Sequence, residues 1–169
     1  MNEPLIVRPM HQGEESEVFN LVQRVFNEFI APTYSQEGSD EFFRYAHSEA
    51  LAQRSQNNHF VLLAVVEDNP VGMIDIRDNI HVSMLFVDRS FQRRGISRAL
   101  LQQALDECRK QKPDLTQITV HAVPNSVPIY ERLGFRPVSA EQVINGVRFV
   151  SMILFRATIN GLAISATNQ

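Results

Sequence analysis

The spacing of apolar residues changes twice along this 169-residue chain, and those changes limit the folds open to it. Within residues 15–30, apolar side chains recur three and four positions apart, which predicts an amphipathic helix. Residues 60–66, 71–76 and 80–87 are short apolar runs separated by polar turns, which predicts three consecutive antiparallel strands. A helical period returns at 96–110.

The remaining segments complete an alternating order of elements. We predict a strand at 5–10, a weaker helix at 37–51, a strand at 118–123, a short helix through Pro128 that stops at Gly134, and a hairpin of 137–144 with 147–154. The strand that follows the long helix is expected to lie parallel to its predecessor. The order β-α-α-β-β-β-α-β-α-β-β predicts an α+β domain over residues 1–155, with a mixed, mainly antiparallel sheet flanked by helices and a tail at 156–169.

Composition excludes several classes of protein. The single cysteine permits neither an intrachain disulfide nor a cysteine-based zinc cage, and no histidine pair has metal-site spacing, so no metal is expected. The first ten residues lack the pattern of a secretory signal, and no apolar run is long enough to cross a membrane, so a cytoplasmic protein is expected. A net charge of −3 argues against a nucleic-acid partner.

The segment 85–101 carries the clearest chemical signal. An apolar strand enters a short polar turn, and a long helix begins at once, so the unpaired amides of its first turn form a natural anion site. Four arginines and one aspartate give residues 88–98 a local charge of +3, which supports that interpretation. Solvated surface arginines are the alternative. We take Gly95 to permit a close backbone approach to the anion.

Two motifs resemble signatures of the GNAT superfamily of N-acyltransferases. The acyl-CoA signature Q/R-x-x-G-x-G/A corresponds to Gln92-Arg93-Arg94-Gly95-Ile96-Ser97, in which Ser97 departs from the usual Gly or Ala. The second signature, N-x-x-x-x-Y-x-x-x-G-F, runs from Asn125 through Tyr130 to Phe135. With the strand meander and closing hairpin, the resemblance covers about residues 5–155.

The resemblance implies a GNAT fold, acetyl-CoA as co-substrate and an acceptor amine. The residues implied to bind the cofactor are Leu85, Phe86 and Val87 through their backbone, then Gln92, Arg93, Arg94, Gly95, Ile96, Ser97, Arg98 and Asn125. Tyr130 is the expected general acid, because a positioned hydroxyl can protonate the departing thiolate.

The sequence specifies the general base less clearly than the general acid. Some GNAT enzymes place a carboxylate on the strand before the signature, and in this chain that position is His81. Alternate residues from His81 to Val87 are expected to share one face of the strand. A histidine of ordinary pKa, near 6.5, is largely free to accept a proton at neutral pH. Asp75, Asp78, a water held by Ser83, or a purely structural histidine remain alternatives.

The acceptor is a small-molecule amine or a peptide, and the sequence leaves its identity open. The aromatic residues of the helical region can line its pocket or belong to the core: Phe29, Tyr34, Phe42 and Tyr45. A longer acyl-CoA is an alternative donor, and a non-catalytic acyl-CoA-binding regulatory domain is the alternative function. A homodimer is compatible with the resemblance, but the sequence does not specify the oligomeric state.

Overall fold

The computed structural model describes residues 3–155, so the predicted tail lies outside the described residues. The strands are β1 (Ile6–Pro9), β2 (His59–Val66), β3 (Asn69–Arg77), β4 (His81–Val87), β5 (Gln117–Ala122), β6 (Arg136–Pro137), β7 (Gln142–Ile144) and β8 (Val147–Phe155). The helices are α1 (Glu15–Phe29), α2 (Gln36–Ala46), α3 (Ser48–Ser55), α4 (Ile96–Gln111) and α5 (Val127–Arg132). The predicted α+β fold class is confirmed.

The strands form one sheet in the order β1-β2-β3-β4-β5-β8-β6, with β7 pairing to β8 beside this path. Neighbours are antiparallel except β4 and β5, which are parallel because α4 connects them as a crossover. The last strand, β8, pairs with β5, β6 and β7.

Helices cover both faces of the sheet. The apolar stripe of α1 packs on one face, together with buried residues of α2 and α3, and α4 with α5 packs on the other. In α1 the buried stripe consists of the residues whose spacing predicted it: Val18, Leu21, Val22, Val25 and Phe26. The site described below lies where strands, α1, α4 and α5 converge.

The predicted helix over 37–51 is two helices, because His47 adopts φ −55° and ψ 146°. Its Nδ1 accepts a hydrogen bond from the Glu49 amide at 3.3 Å, which caps α3. Ser35 caps α2 in the same way, accepting from the Gly38 amide at 3.0 Å. The predicted strand 137–144 is likewise interrupted, and its two short pieces are β6 and β7.

A bulge interrupts the pairing of β4 with β3. Ile76 lies opposite Val82, whereas the preceding residue, Asp75, lies opposite Met84. Ser83 is therefore an extra residue on β4. An extra residue reverses the alternation of side chains between the two faces of a sheet.

The bulge changes which side chains of β4 face the site. In a regular strand, residues an odd number of positions apart lie on opposite faces. Val82 and Val87 are five positions apart, yet both pack in the core beside α4, whereas Met84 packs in the core beside α1. The prediction that alternate residues from His81 to Val87 share one face is therefore wrong. Strand alternation holds only within the stretches on either side of the bulge.

Candidate active site

The parallel strands β4 and β5 pair over two positions and then separate. His81 lies opposite Thr119, and Val82 lies opposite Val120. Among residues 3–155, no strand pairs with the edge of β4 that faces β5 from Ser83 onward, although β3 pairs with the other edge of β4. Backbone N–H and C=O groups at such an edge need partners, so they can bind an extended ligand as an added strand.

The larger of two cavities at this opening has a volume of about 670 Å³. It extends from the free edge of β4 to the first turn of α4. Its lining includes ten residues that the motifs predict: Leu85, Phe86, Val87, Gln92, Arg93, Gly95, Ile96, Ser97, Arg98 and Asn125. Arg94 is not one of the lining residues, but its guanidinium carbon lies 5.0 Å from the centre of the ring of Phe91, which does line the cavity.

The turn before α4 presents backbone amides to the larger cavity. Gly95 has φ +79° and Arg93 has φ +63°, both in the left-handed region. The amide of Ala99 donates to the Gly95 carbonyl at 3.0 Å, so the amides before it in the first turn have no intrahelical acceptor. A Cβ on Gly95 would have no protein atom within 4 Å. The left-handed conformation therefore favours glycine at this position, and the space beside it is open to an anion.

The four arginines of this segment have different environments. Arg93 and Arg98 line the larger cavity, and Arg98 donates to the Arg132 carbonyl at 2.9 Å. Arg89 pairs with Glu28 on α1, so its charge is compensated within the protein. The positive charge that faces the cavity therefore comes from Arg93 and Arg98, together with the start of α4.

Two polar side chains of the motifs stabilise the walls of the larger cavity. Gln92 donates through Nε2 to the Val87 carbonyl at 3.1 Å, which ties the turn to the end of β4. Asn125 donates through Nδ2 to the Phe29 carbonyl at 2.9 Å, which ties the turn after β5 to the end of α1. Both side chains keep an amide oxygen that can accept from a ligand.

Tyr130 lies where the larger cavity meets a smaller one of about 330 Å³. The residues common to both linings are Ile30, Leu85, Phe86, Val123 and Tyr130. The Tyr130 ring packs edge-on against Phe135, with ring centres 5.5 Å apart. Burial raises the pKa of its hydroxyl above the usual value, so the hydroxyl of Tyr130 keeps its proton at neutral pH.

His81 lines the smaller cavity and is buried. Its Nδ1 lies 2.7 Å from the Thr119 hydroxyl, which lies 3.4 Å from the Ile80 carbonyl. If the hydroxyl donates to that carbonyl, Nδ1–H donates to the hydroxyl and the His81 Nε2 holds a free lone pair. Burial, reinforced by the charge of Arg77, lowers the pKa of His81 to about 4. His81 is therefore neutral at physiological pH.

Two carboxylates considered as alternative bases lie outside both cavities. Asp75 is fully buried, with Oδ1 3.0 Å from His59 Nδ1 and Oδ2 3.7 Å from the Arg54 guanidinium. Asp78 is exposed in the turn after β3 and accepts from Asn58 at 2.6 Å. Ser83, the third alternative, does line the smaller cavity.

The aromatic residues of the helical region divide between the two cavities. Tyr34, Phe42 and Tyr45 line the smaller cavity, whereas Phe29 lines the larger. Sequence reasoning did not single out Glu41 and Arg77 as residues of the smaller cavity. Neither belongs to a motif, and their position depends on how α2 and the end of β3 approach β4.

The position of Thr119 beside His81 was also not predicted. Only the register of β4 with β5 brings them together. His121 also lines the smaller cavity, with its ring centre 4.7 Å from that of His81.

None of the helices within residues 3–155 is long and apolar enough to cross a membrane. That part of the chain also holds no group of three or more His, Cys, Asp or Glu side chains arranged to bind a metal ion.

Residues 30–155 match the family described as acetyltransferase (GNAT) domain. The chain is 34% identical over 83 residues to a protein of Escherichia coli named uncharacterized N-acetyltransferase YafP. That match spans 49% of this chain and 50% of YafP, so the chain covers half the length of this relative.

Solved structures show the same fold at low sequence identity. The PaiA N-acetyltransferase of Thermoplasma acidophilum, in complex with coenzyme A, has a TM-score of 0.74 at 17% identity, covering 90% of this chain and 99% of that one. A GCN5-related N-acetyltransferase of Rhodopseudomonas palustris has a TM-score of 0.73 at 19% identity, covering 92% and 98%. Spermidine N-acetyltransferase SpeG of Vibrio cholerae has a TM-score of 0.61 at 18% identity, covering 92% and 95%.

The family match covers most of the chain, and the fold agrees with it. The chain belongs to the GNAT acetyltransferase family, which places it among the acyltransferases. The resemblance recognised from the two sequence motifs is confirmed.

Proposed function

We propose that this protein transfers the acetyl group of acetyl-CoA directly to the amino group of a small molecule or peptide. The position of Tyr130 is the observation that supports this most strongly. It lies where a cavity bounded by a helix start meets a second, smaller cavity. Two substrates that enter from opposite sides would meet beside its hydroxyl.

The larger cavity suits acetyl-CoA, a donor that supplies an acetyl group activated as a thioester. The open amides before Ala99, with Arg93 and Arg98, can hold the pyrophosphate. The free edge of β4 can pair with the pantetheine arm, as the resemblance implies for Leu85, Phe86 and Val87. The open space beside Gly95 leaves room for the phosphate groups.

In the proposed reaction, the neutral amine nitrogen attacks the acetyl carbonyl carbon, a C–N bond forms and the C–S bond breaks. Tyr130 donates its proton to the departing sulfur. The proton that the nitrogen loses passes to His81 Nε2 or to water, and the Tyr130 phenolate recovers a proton from solvent. Backbone amides of β4 can polarise the carbonyl.

The low pKa of His81 limits what this residue can do as a base. A lysine-type ammonium has a pKa near 10.4, far above the value of about 4 for His81. His81 therefore cannot take a proton from an ammonium ion efficiently. We propose that the amine enters in its neutral form, and that His81 Nε2 accepts the proton only after the nitrogen has become acidic during attack.

The test is thiol release from acetyl-CoA with an amine panel, comparing Tyr130→Phe with the wild type. Removing the hydroxyl should lower kcat by roughly 10²- to 10⁴-fold and leave the Kd for coenzyme A unchanged. Tyr34→Phe removes the same atom from a residue that lines only the smaller cavity, so its effect on kcat should be much smaller. Equal kcat in Tyr130→Phe and wild type would refute the acid role.

The assay has little background from the protein itself. Cys108 is fully buried on α4, and burial raises the pKa of its thiol to about 12. A thiol reagent should therefore react with released coenzyme A and not with the folded protein. Tight binding of acetyl-CoA without thiol release from any amine would instead favour the non-catalytic regulatory function.

A further inference from the structure

The smaller cavity is walled by aromatic rings. Phe42 stacks on Phe26, with ring centres 4.1 Å apart and planes within 5° of parallel. Tyr34 meets Phe26 edge-on at 5.3 Å, and Phe86 lies 5.8 Å from Phe42. On the side formed by β4 and β5, the imidazoles of His81 and His121 complete the wall. Such a surface offers flat faces and edges, which favour an aromatic partner.

The smaller cavity carries almost no net charge. Its charged side chains are Glu41 and Arg77, and their charges cancel. Each also has a partner in the protein: Glu41 pairs with Arg44, and Arg77 lies 3.9 Å from Asp78. The lining therefore lacks the several carboxylates that a polycationic amine would need to compensate its charges.

Burial in this cavity also favours a neutral amine. It lowers the pKa of both histidines in the wall, His81 and His121. The same loss of water would lower the pKa of an ammonium group bound beside them. A single amino group can be made neutral in this way, but a molecule with several charged nitrogens would have to lose hydration at each of them.

The smaller cavity has room for a small acceptor. Since one water molecule takes up about 30 Å³ in the liquid, a volume of 330 Å³ corresponds to about eleven water molecules, and so to an acceptor of about ten non-hydrogen atoms. We infer that the acceptor is a small primary amine with one basic nitrogen on an aromatic body, and not a polyamine. This inference deepens the proposed function and rests on it.

The experiment compares three acceptors in the thiol-release assay: phenethylamine, its saturated analogue cyclohexylethylamine, and spermidine. We expect kcat/KM for phenethylamine to exceed that for spermidine by at least about tenfold, because the cavity cannot compensate spermidine's additional charges. Phenethylamine should exceed cyclohexylethylamine by roughly threefold to tenfold, since both are apolar but only one is flat and aromatic.

Two neighbouring phenylalanines provide a matched pair of variants. Both contact the Phe26 ring, but Phe42 lines the smaller cavity and Phe43 does not. Phe42→Leu should reduce the preference for phenethylamine over cyclohexylethylamine to near unity, and Phe43→Leu should retain it. The preference is a ratio within one protein sample, so a general loss of stability in either variant does not change it.

Calorimetric titration of phenethylamine into the protein saturated with coenzyme A provides a readout independent of turnover. Absence of heat from that titration, or a higher kcat/KM for spermidine, would overturn the inference about the acceptor. In the second case the proposed acetyltransfer would stand. Failure of acetyl-CoA to bind would overturn the proposed function itself, whatever the titration shows.

Discussion

His81 Nδ1 lies 2.7 Å from the hydroxyl of Thr119 at the first of the two positions where β4 and β5 pair. The contact holds the imidazole at the point where the strands begin to separate. It also links the tautomer of His81 to a residue on the neighbouring strand. Where the Thr119 hydroxyl donates to the Ile80 carbonyl, the other ring nitrogen, Nε2, keeps a free lone pair, and Nε2 is the atom that we propose accepts the proton.

The first prediction concerns the pH dependence of the proposed reaction. A histidine of ordinary pKa would give an inflection in kcat/KM near pH 6.5, but burial lowers the pKa of His81 to about 4. His81 is therefore already neutral throughout pH 5.5–8, and the rise of kcat/KM in that range should follow deprotonation of the acceptor amine. Acceptors with different amine pKa values should shift the curve accordingly.

Two variants distinguish the proposed proton transfer by His81 from the effect of its contact with Thr119. His81→Ala should lower kcat by about 10- to 100-fold, at or below the lower end of the range of about 10²- to 10⁴-fold for general acid–base catalysis, because the histidine is a weak base. Thr119→Val should lower kcat by a smaller factor, since it removes only the hydroxyl that orients the His81 ring. An inflection near pH 6.5 that disappears in His81→Ala would contradict a neutral, buried histidine.

The second prediction concerns Tyr130 at alkaline pH. Burial disfavours the phenolate and raises the pKa of Tyr130 above its usual value of 10, so the hydroxyl stays protonated as the pH rises to 10. We expect kcat of the wild type to show no decline between pH 8 and pH 10. A decline centred below pH 10 that is absent in Tyr130→Phe would show that the hydroxyl ionises earlier and is more accessible to water.

The third prediction concerns the contact of α2 with the hairpin formed by β7 and β8. A Cβ on Gly38 would lie 2.5 Å from the Gly146 carbonyl oxygen, a backbone atom in the hairpin turn. Gly38→Ala should gain up to about 1 kcal/mol in helix propensity but lose about 1–3 kcal/mol to the overlap. The overlap should dominate, because no rotamer change can relieve it.

Urea denaturation of Gly38→Ala measures the balance of these two effects. Ser39→Ala, at the next position of α2, provides the control without a backbone overlap. The hairpin also carries Val147, which lines the smaller cavity, so Gly38→Ala should raise KM for the acceptor as the turn moves. If Gly38→Ala were more stable than the wild type, the turn at Gly146 would be able to move away from the added methyl group with little loss of stability.

The sequence predicted the order of elements because apolar periodicity acts locally. The α1 stripe from Val18 to Phe26 and the long helix α4 were predicted to within a residue or two. The break at His47 was missed because the apolar pattern continues across it, whereas the break depends on a backbone conformation and a cap. The division of the predicted strand 137–144 into β6 and β7 was missed for the same reason, since apolar residues continue through it.

The proposed cofactor side of the site was more predictable than the proposed acceptor side. Residues from Gln92 to Arg98 lie in one continuous turn, so a local motif is sufficient to recognise them. The smaller cavity combines α1, α2, α5 and four strands, and its residues approach one another only through the sheet register and the packing of the helices on the sheet. The bulge at Ser83, which turns His81 away from the face of Val87, leaves no signal in apolar alternation.

The last prediction tests the proposed pyrophosphate site at Gly95. Gly95 and Gly13 both have positive φ, +79° and +98°, and a Cβ on either would meet no protein atom within 4 Å. Replacement by alanine should therefore lower the free energy of unfolding by about 1–2 kcal/mol at each position, through backbone strain alone. Gly95 lines the larger cavity and Gly13 does not.

The two variants should differ in their affinity for coenzyme A. In Gly95→Ala the added methyl group enters the space proposed for the pyrophosphate, so the Kd should rise by about tenfold, equivalent to about 1.4 kcal/mol. In Gly13→Ala the Kd should equal that of the wild type despite a similar loss of stability. Calorimetry with coenzyme A measures both. Equal Kd values in the two variants would show that the methyl group of Gly95→Ala does not displace the ligand. The pyrophosphate would then bind elsewhere, and backbone strain would be the only effect of the substitution.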